Sequence, residues 1–440
     1  MLSDPIAALA TPPGRSALAV VRLSGEGAFG IAAQVVEGFD PLPPRHACLA
    51  TFRRADGSAI DRGLYTAYPA PASYTGEDMV EFSTHGGFIA PAALLAALYA
   101  GGARAAAPGE FTRRAVLNGK LDLLQAEAVG DLIDATAPAQ ARLALTQLDG
   151  ALSKRLDLLR QSLIGLEALL SYSIDFPEED DGPLPVERIR TVLDSNLRQV
   201  GQLLRTSSGG QRVREGALVV IAGRPNAGKS SLFNALIGTD RVLVSDIPGT
   251  TRDAVEAFTD FGGWPIRLAD TAGLGDFEHQ VDRLGVGMSH RYIEAADLIL
   301  LCVESGRELD QTERARLSGK VILLRTKGDL HPGAGEGITV SVVSGEGLDL
   351  VRQETATRVF GDRIQLADIE PALTRERHRE RLLQAEAALR LALAECGPTG
   401  DPVLVSHHAR EATAHLDELI GTVDIEAVLD RVFASFCIGK

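Results

Sequence analysis

A short apolar run, a glycine-rich loop and a helix follow one another without interruption in this chain, and that succession constrains the fold around it. Ala217-Leu-Val-Val-Ile-Ala222 reads as a buried strand, and Ser231-Leu-Phe-Asn-Ala-Leu-Ile237 reads as a helix. Between them, Gly223-Arg-Pro-Asn-Ala-Gly-Lys229-Ser230 fits the phosphate-binding pattern GxxxxGK followed by Ser or Thr. Backbone N–H groups from Asn226 through Ala227, Gly228, Lys229, Ser230 and Ser231 would converge on phosphate oxygens, and the helix N-terminus adds a favourable dipole. Lys229 would reach the β- and γ-phosphates, and the Ser230 hydroxyl would bind Mg²⁺. The loop without its flanking strand and helix would be an ordinary Gly-rich turn.

Downstream residues choose the nucleotide. Pro265-Ile-Arg-Leu-Ala269 reads as a strand leading into Asp270-Thr271-Ala272-Gly273. An Asp at a strand end can hold Mg²⁺ through water, and the Gly N–H can meet a γ-phosphate. Asp246-Ile-Pro-Gly-Thr-Thr251 lies between the two motifs, and there Thr251 suits a switch that completes the Mg²⁺ shell. Taken alone, that stretch is a turn. Two more apolar runs follow, Leu298–Val303 and Val321–Leu324, the second entering Arg325-Thr326-Lys327-Gly-Asp329. The Asp329 carboxylate would accept from the guanine ring N–H and amino group, which adenine does not present, and Lys327 can lie over the base. GTPases usually carry Asn where Thr326 stands, and Thr cannot reproduce both amide hydrogen bonds. Ser341, Val342 and Val343 open a loop similar to the last guanine contact. These elements make a GTPase domain over residues 214–362, binding GTP with Mg²⁺.

One expected residue is absent. Many GTPases place a Gln after Asp-x-x-Gly to orient water, and here Leu274 stands in that place. Hydrolysis must borrow chemistry elsewhere. The Asn226 side-chain oxygen could help hold a monovalent cation beside the β/γ bridge, neutralising developing charge. Asp282 follows the switch and could position water; its own surroundings read as a solvated loop acid.

The 440 residues suffice for about three domains. Residues 120–175 read as strongly helical, with Leu145, Leu148, Leu152, Leu156, Leu159, Leu163, Leu166 and Leu170 on one apolar stripe. A second helix puts Val186, Ile189, Leu193, Leu197, Val200 and Leu204 on one face, and Ser207-Ser-Gly-Gly210 reads as a linker. Leu373–Ala394 and Arg410–Ile420 are helical again, so the GTPase domain reads as inserted into one helical bundle. Residues 1–118 form an α+β domain by pattern. The whole is a multidomain α/β and α chain: 1–118, helical 119–213, GTPase 214–362, helical 363–440. A net charge of −15 argues against a general nucleic-acid coat. Cys48, Cys302, Cys396 and Cys437 show neither metal spacing nor a disulfide framework, which fits a reducing compartment. With no signal-peptide pattern and no long apolar stretch, a cytoplasmic protein is expected.

Thr11-Pro-Pro-Gly-Arg15, Tyr74-Thr-Gly-Glu-Asp78, His85-Gly-Gly87, Pro108-Gly-Glu-Phe111, the phosphate loop, Gly249-Thr-Thr-Arg-Asp253, Asp270-Thr-Ala-Gly-Leu274 and the final Phe436-Cys-Ile-Gly-Lys440 together resemble the MnmE (TrmE) family of tRNA-modification GTPases, over essentially the whole length. The resemblance implies an N-terminal domain that binds a tetrahydrofolate derivative (5,10-methylene or 5-formyl) and forms a homodimer. It implies a heterotetramer with the flavoprotein MnmG, which carries FAD, and tRNA bound through that complex. The implied reaction adds an aminomethyl or carboxymethylaminomethyl group at the 5-position of the wobble uridine. Folate contacts would include Arg22, Glu81, Lys120 and Lys440. A K⁺ ion would be held by Asn226, Ser245, Ile247 and Thr250, and the family's water-positioning Glu falls at Asp282. Cys437, beside the tail, reads as a nucleophile or as a small buried thiol, the second favoured because free Cys is usually buried and inert. Competing readings are a regulatory GTPase switch in ribosome assembly and a folate-binding module with a degenerate GTPase domain.

Overall fold

The structure is a computed structural model that describes residues 4–175, 185–238, 255–270, 291–315, 317, 319–331, 335–361, 372–397, 400–421, 429, 436 and 439. The chain divides into two compact units, Met1–Gly130 with Leu416–Lys440, and Asp131–His415. In chain order the first holds β1 (Ile6–Leu9), β2 (Leu18–Ser24), α1 (Ala28–Val35), β3 (Ala47–Arg53), β4 (Ala59–Tyr68), β5 (Met79–His85), α2 (Ile89–Ala100), β6 (Arg104–Ala105), α3 (Glu110–Leu117) and most of α4 (Leu123–Ile133). Its six strands lie in the order β3-β4-β5-β2-β1-β6, antiparallel except for β1 beside β6.

Side chains alternate along each strand, so one face carries the main core, while on the other Ile6 and Ala8 of β1 pack with Phe111 in a smaller cluster. Val21, Leu23, Phe52, Val80 and Phe82 point inward and pack with Ile31, Leu94 and Leu98 of the two covering helices. Phe52 meets Phe82 edge-on at 5.7 Å. Alternation leaves Arg22 and Glu81 on the opposite face, and the register makes them direct cross-strand partners. An ionic cluster with Arg114 and Glu110 buried at its centre and Asp4 and Arg104 exposed at its rim ties the loops to this sheet. Arg114, 1% exposed, donates to Asp4, Glu77 and Glu110, and Arg104 donates to Asp4 and Glu110. Burial opposes ionisation of Glu110, but the guanidiniums of Arg104 and Arg114 still hold its carboxyl below the usual range.

The second unit holds α5 (Pro138–Leu148), α6 (Ala151–Asp175), α7 (Val186–Glu215), β7 (Ala217–Gly223), α8 (Lys229–Ile237), β8 (Val255–Phe261), β9 (Trp264–Asp270), β10 (Leu298–Glu304), α9 (Gln311–Ala315), β11 (Val321–Thr326), β12 (Ile338–Thr339), α10 (Leu348–Phe360), α11 (Glu376–Glu395) and most of α12 (Pro402–Ile420). Its sheet runs β12-β11-β10-β7-β9-β8, parallel except for the antiparallel edge strand β8. The central strands are apolar throughout because helices cover both faces, and every residue from Ala217 to Ala222 is buried. Trp264 stacks on Phe360 at 4.6 Å, joining β9 to α10.

Three helical expectations need correction. Residues 120–175 are not one stripe: Asp149 and Gly150 end α5 and start α6 afresh, so Leu145 falls on the exposed face, while Leu152, Leu156, Leu159, Leu163, Leu166 and Leu170 of α6 are buried. Ser207–Gly210 is no linker. Helix α7 runs through it to Glu215 and hands the chain directly to β7. Its buried face there uses Leu203 and Gly210, where Leu204 was expected.

The helix survives two consecutive glycines because one of them is needed for packing. A Cβ on Gly210 would sit 2.3 Å from the Leu373 carbonyl oxygen, so the returning chain lies against bare helix backbone. Gly201, on the same helix, has no atom within 4 Å of a Cβ. The helical segments before and after the sheet meet along α7: Arg190 donates to the Cys396 carbonyl at 2.7 Å, and the Leu373 amide donates to Thr206 at 3.2 Å. Gly210→Ala is expected to destabilise the unit by about 1–3 kcal/mol through overpacking, and Gly201→Ala to stabilise it by about 0.5–1 kcal/mol. Unfolding midpoints of the two variants check this; a gain in both would refute the close approach at Gly210.

Candidate functional site: a phosphate loop at the sheet's topological switch point

The phosphate loop follows β7, where the chain leaves one side of the sheet for the other. Ligands of open α/β sheets bind at such a switch point, beyond the carboxyl ends of the strands. Gly223 pairs with Cys302 of β10, and a Cβ on it would lie 2.4 Å from the Cys302 carbonyl oxygen, at φ 146°. No other residue fits this approach. The loop then turns through Asn226 at φ 61° and Gly228 at φ 83°, both left-handed. Asn226 tolerates that conformation better than most residues.

Behind the loop the polar side chains are already engaged. Lys229 is 8% exposed and donates to the Arg224 carbonyl at 2.9 Å. The Ser230 hydroxyl donates to Asp270 Oδ2 at 2.7 Å, linking the first turn of α8 to the end of β9. A hydroxyl and a carboxylate are hard oxygen donors of the kind Mg²⁺ prefers, so the pair fits that ion. Arg224 is held away by Asp310 and Glu313. Under the loop, burial pushes the Cys302 thiol up to about 12, which keeps it neutral and inert.

The base-recognition residues come together from two loops. Thr326 ends β11, and its Cβ lies 3.7 Å from where a Cβ on Gly228 would be. Its hydroxyl is buried and has no partner among the described residues. Lys327 adopts φ 57° and pairs with Glu304 at 3.1 Å. Ser341, fully buried, donates to Asp329 Oδ1 at 2.7 Å and receives the amides of Val343 and Ser344. This fixes the Asp329 carboxylate, while Val342 and Val343 remain exposed. Ala227 is buried and Ser231 exposed on either side of the loop–helix junction. Ser245, Ile247, Thr250, Thr251, Thr271, Ala272, Gly273, Leu274 and Asp282 lie outside the described residues, as do Cys437 and Lys440. A cavity of about 660 Å³ in the same unit, lined by Gln140, Leu143, Arg214, Phe258 and Arg267, includes none of the nucleotide-loop residues.

The first unit carries a second polar group of residues on the sheet face opposite its main core. Arg22 Nε donates to Glu81 Oε1 at 2.8 Å, and both side chains are about a quarter exposed. The Arg22 guanidinium lies 5.5 Å from the centre of the Tyr74 ring and donates to the Gly439 carbonyl at 3.5 Å. Tyr68 donates to Glu81 Oε2 at 3.4 Å, and burial together with Glu81 pushes its phenol up, so it stays a donor. Lys120 donates to the Pro71 carbonyl at 3.1 Å and packs beside Gly76. Two close approaches shape the surroundings. A Cβ on Gly86 would strike Ser16, and one on Gly439 would lie 2.3 Å from the Leu9 carbonyl oxygen. Arg22 and Glu81 thus stand beside two phenols, those of Tyr74 and Tyr68. Tyr68 was missed by sequence reasoning; its place two residues beyond Thr66, the partner of Glu81, was the available signal.

Comparison with known proteins matches two family descriptions in succession along the chain. Residues 5–120 match the family described as GTP-binding protein TrmE N-terminus, and residues 123–437 match the MnmE helical domain. The tRNA modification GTPase MnmE of Akkermansia muciniphila is 40% identical, with all of both chains covered. That of Caulobacter vibrioides is 43% identical, again over the whole of both. Among solved structures, the G domain of the T. maritima FeoB iron transporter is 28% identical over 32% of this chain and 98% of that one, with a TM-score of 0.27, too low to inform the geometry. With its N-terminal, helical and phosphate-loop parts all matched end to end, the chain belongs to the MnmE family of tRNA modification GTPases.

Proposed function

We propose that this protein hydrolyses GTP to drive a tRNA-modifying complex, and that K⁺ stimulates the hydrolysis as two GTPase domains meet across their nucleotide faces. The observation that carries the reading is the Ser230–Asp270 bond behind a left-handed phosphate loop, with Asp329 fixed by Ser341 at the base end. Backbone N–H groups of 226–231 receive the phosphate oxygens, and Lys229 exchanges the Arg224 carbonyl for the β- and γ-phosphates. Mg²⁺, when bound, supplies charge neutralisation at the phosphates. Ser230 and Thr251 would hold it, with Asp270 behind Ser230 as a further oxygen ligand partner. Asp329 accepts from the guanine ring, and Thr326, one hydrogen bond short of the usual Asn, makes that recognition weaker.

Leu274 cannot orient water. K⁺ would supply the missing positive charge beside the β/γ bridge, held by Asn226, Ser245, Ile247 and Thr250. Asp282 positions the attacking water; one methylene shorter than Glu, it needs a closer approach of its loop. In the other unit, Arg22, Lys120 and Lys440 would receive the glutamate tail of a tetrahydrofolate derivative and Glu81 its pterin. That folate supplies the one-carbon unit for the wobble uridine, with FAD held by a partner flavoprotein, MnmG. Leu49 and Leu64, exposed cross-strand partners on β3 and β4, support burial of this sheet edge by a second copy.

Two measurements check these points. GTP turnover is expected to be slow in Na⁺ and at least about tenfold faster in K⁺, as for one stabilised charge in the transition state; equal rates would refute cation assistance. Nucleoside mass analysis of tRNA from a deletion strain is expected to lack the 5-substituted wobble uridine. Unaltered wobble nucleosides would remove the modification role and favour a regulatory GTPase acting elsewhere.

A further inference from the structure

Helix α12 presents a cluster that neither the nucleotide site nor the sheet face uses. His407, His408 and Glu411 each offer one ligand atom, and these atoms lie within 4.8 Å of one another. We propose that they form a surface site for a borderline divalent transition-metal cation, of the Zn²⁺ class, across the second and third turns of α12.

Helical spacing creates the cluster. Glu411 is four residues from His407 and three from His408, so both rings reach the same carboxylate. His408 Nδ1 is 2.9 Å from Glu411 Oε2, and His407 Nε2 is 3.6 Å from Oε1. The two rings stand 5.3 Å apart at 55°. A tetrahedral ion with bonds of about 2.0–2.2 Å needs ligand atoms roughly 3.3–3.6 Å apart. Small rotamer changes close the present spacing to that value without moving backbone. The backbone beneath is well fixed, since Asp401 receives the amides of Val403 and Val405 at the helix start. Arg410, next to Glu411 in the chain, is taken up by Glu167.

The donor set selects the ion. Two imidazoles with one carboxylate suit Zn²⁺, Ni²⁺ or Cu²⁺, whereas Mg²⁺ and Ca²⁺ prefer all-oxygen sites. Three ligands leave a fourth position for water or for a group from a partner. Without metal, Glu411 serves as the common partner of both imidazoles, an arrangement that a cation would convert into three bonds to itself. His415, one turn further on, is close enough to act on the same carboxylate electrostatically.

The test uses untagged, chelator-stripped, full-length protein. Zn²⁺ is titrated in competition with a chromophoric chelator, and Co²⁺ binding is followed by its visible spectrum, both in excess Mg²⁺. One equivalent per chain is expected. Affinity should fall by at least about tenfold in Glu411→Gln and in the double variant His407→Ala/His408→Ala. GTP turnover and far-UV circular dichroism should stay unchanged in both, which separates lost ligands from lost fold. Cys437→Ser should retain the ion. Stoichiometric uptake that survives the double variant, uptake that disappears with Cys437, or no uptake by the wild type would each overturn the proposal.

Discussion

The nucleotide end of this protein depends on how closely β7 and β10 approach at Gly223. The carbonyl of Cys302 lies where any side chain would be. That approach brings the strand end deep into the sheet, so the following loop must turn back over it. The turn uses two left-handed residues, Asn226 and Gly228, and the helix α8 starts directly after it at Lys229. Ser230 then falls within hydrogen-bonding distance of Asp270 at the end of the neighbouring strand. The course of the loop and the Ser230–Asp270 pairing therefore follow from one backbone contact within a mostly parallel sheet.

The same sheet is mechanically continuous with the helical segment that precedes it. Helix α7 passes into β7 with only Gly216 between them. Its last turn is bound on several sides: Arg212 to Asp297 and the Val359 carbonyl, Arg214 to Asp131, and the Arg214 carbonyl to Gln140. Asp297 in turn receives the Leu218 amide of β7. Helix α7 is thus a physical route by which a rearrangement of the sheet's loops could reach the bundle, since packed elements of this kind move as units and not by gradual deformation.

Much of this was legible in the sequence, for a physical reason. Central parallel strands are apolar throughout and short, so Ala217–Ala222, Leu298–Val303 and Val321–Leu324 are local signals, and the loops at their ends carry the chemistry. Helix breaks were not legible. The leucine spacing from Leu145 to Leu170 looks continuous, because a turn at Asp149–Gly150 can be spliced into a three-four pattern without disturbing it. Ser207–Gly210 looked like a linker because the reason for Gly210, the backbone at Leu373, lies far away in sequence. The Arg22–Glu81 pair required knowing that β2 and β5 are neighbours, a long-range register that no local pattern contains.

The central claim is that the loop after β7 and the carboxylate of Asp329 together form one guanine-nucleotide site. Hydrolysis of GTP and of xanthosine triphosphate by the wild type and by Asp329→Asn tests it most directly. An amide in place of the carboxylate offers a donor to the 2-oxo group of xanthine and loses an acceptor for the guanine amino group. The account predicts that the variant loses GTP turnover at low substrate by about 100-fold, near 2.7 kcal/mol, and gains turnover of the xanthine nucleotide. Unchanged preference for GTP in Asp329→Asn would contradict it.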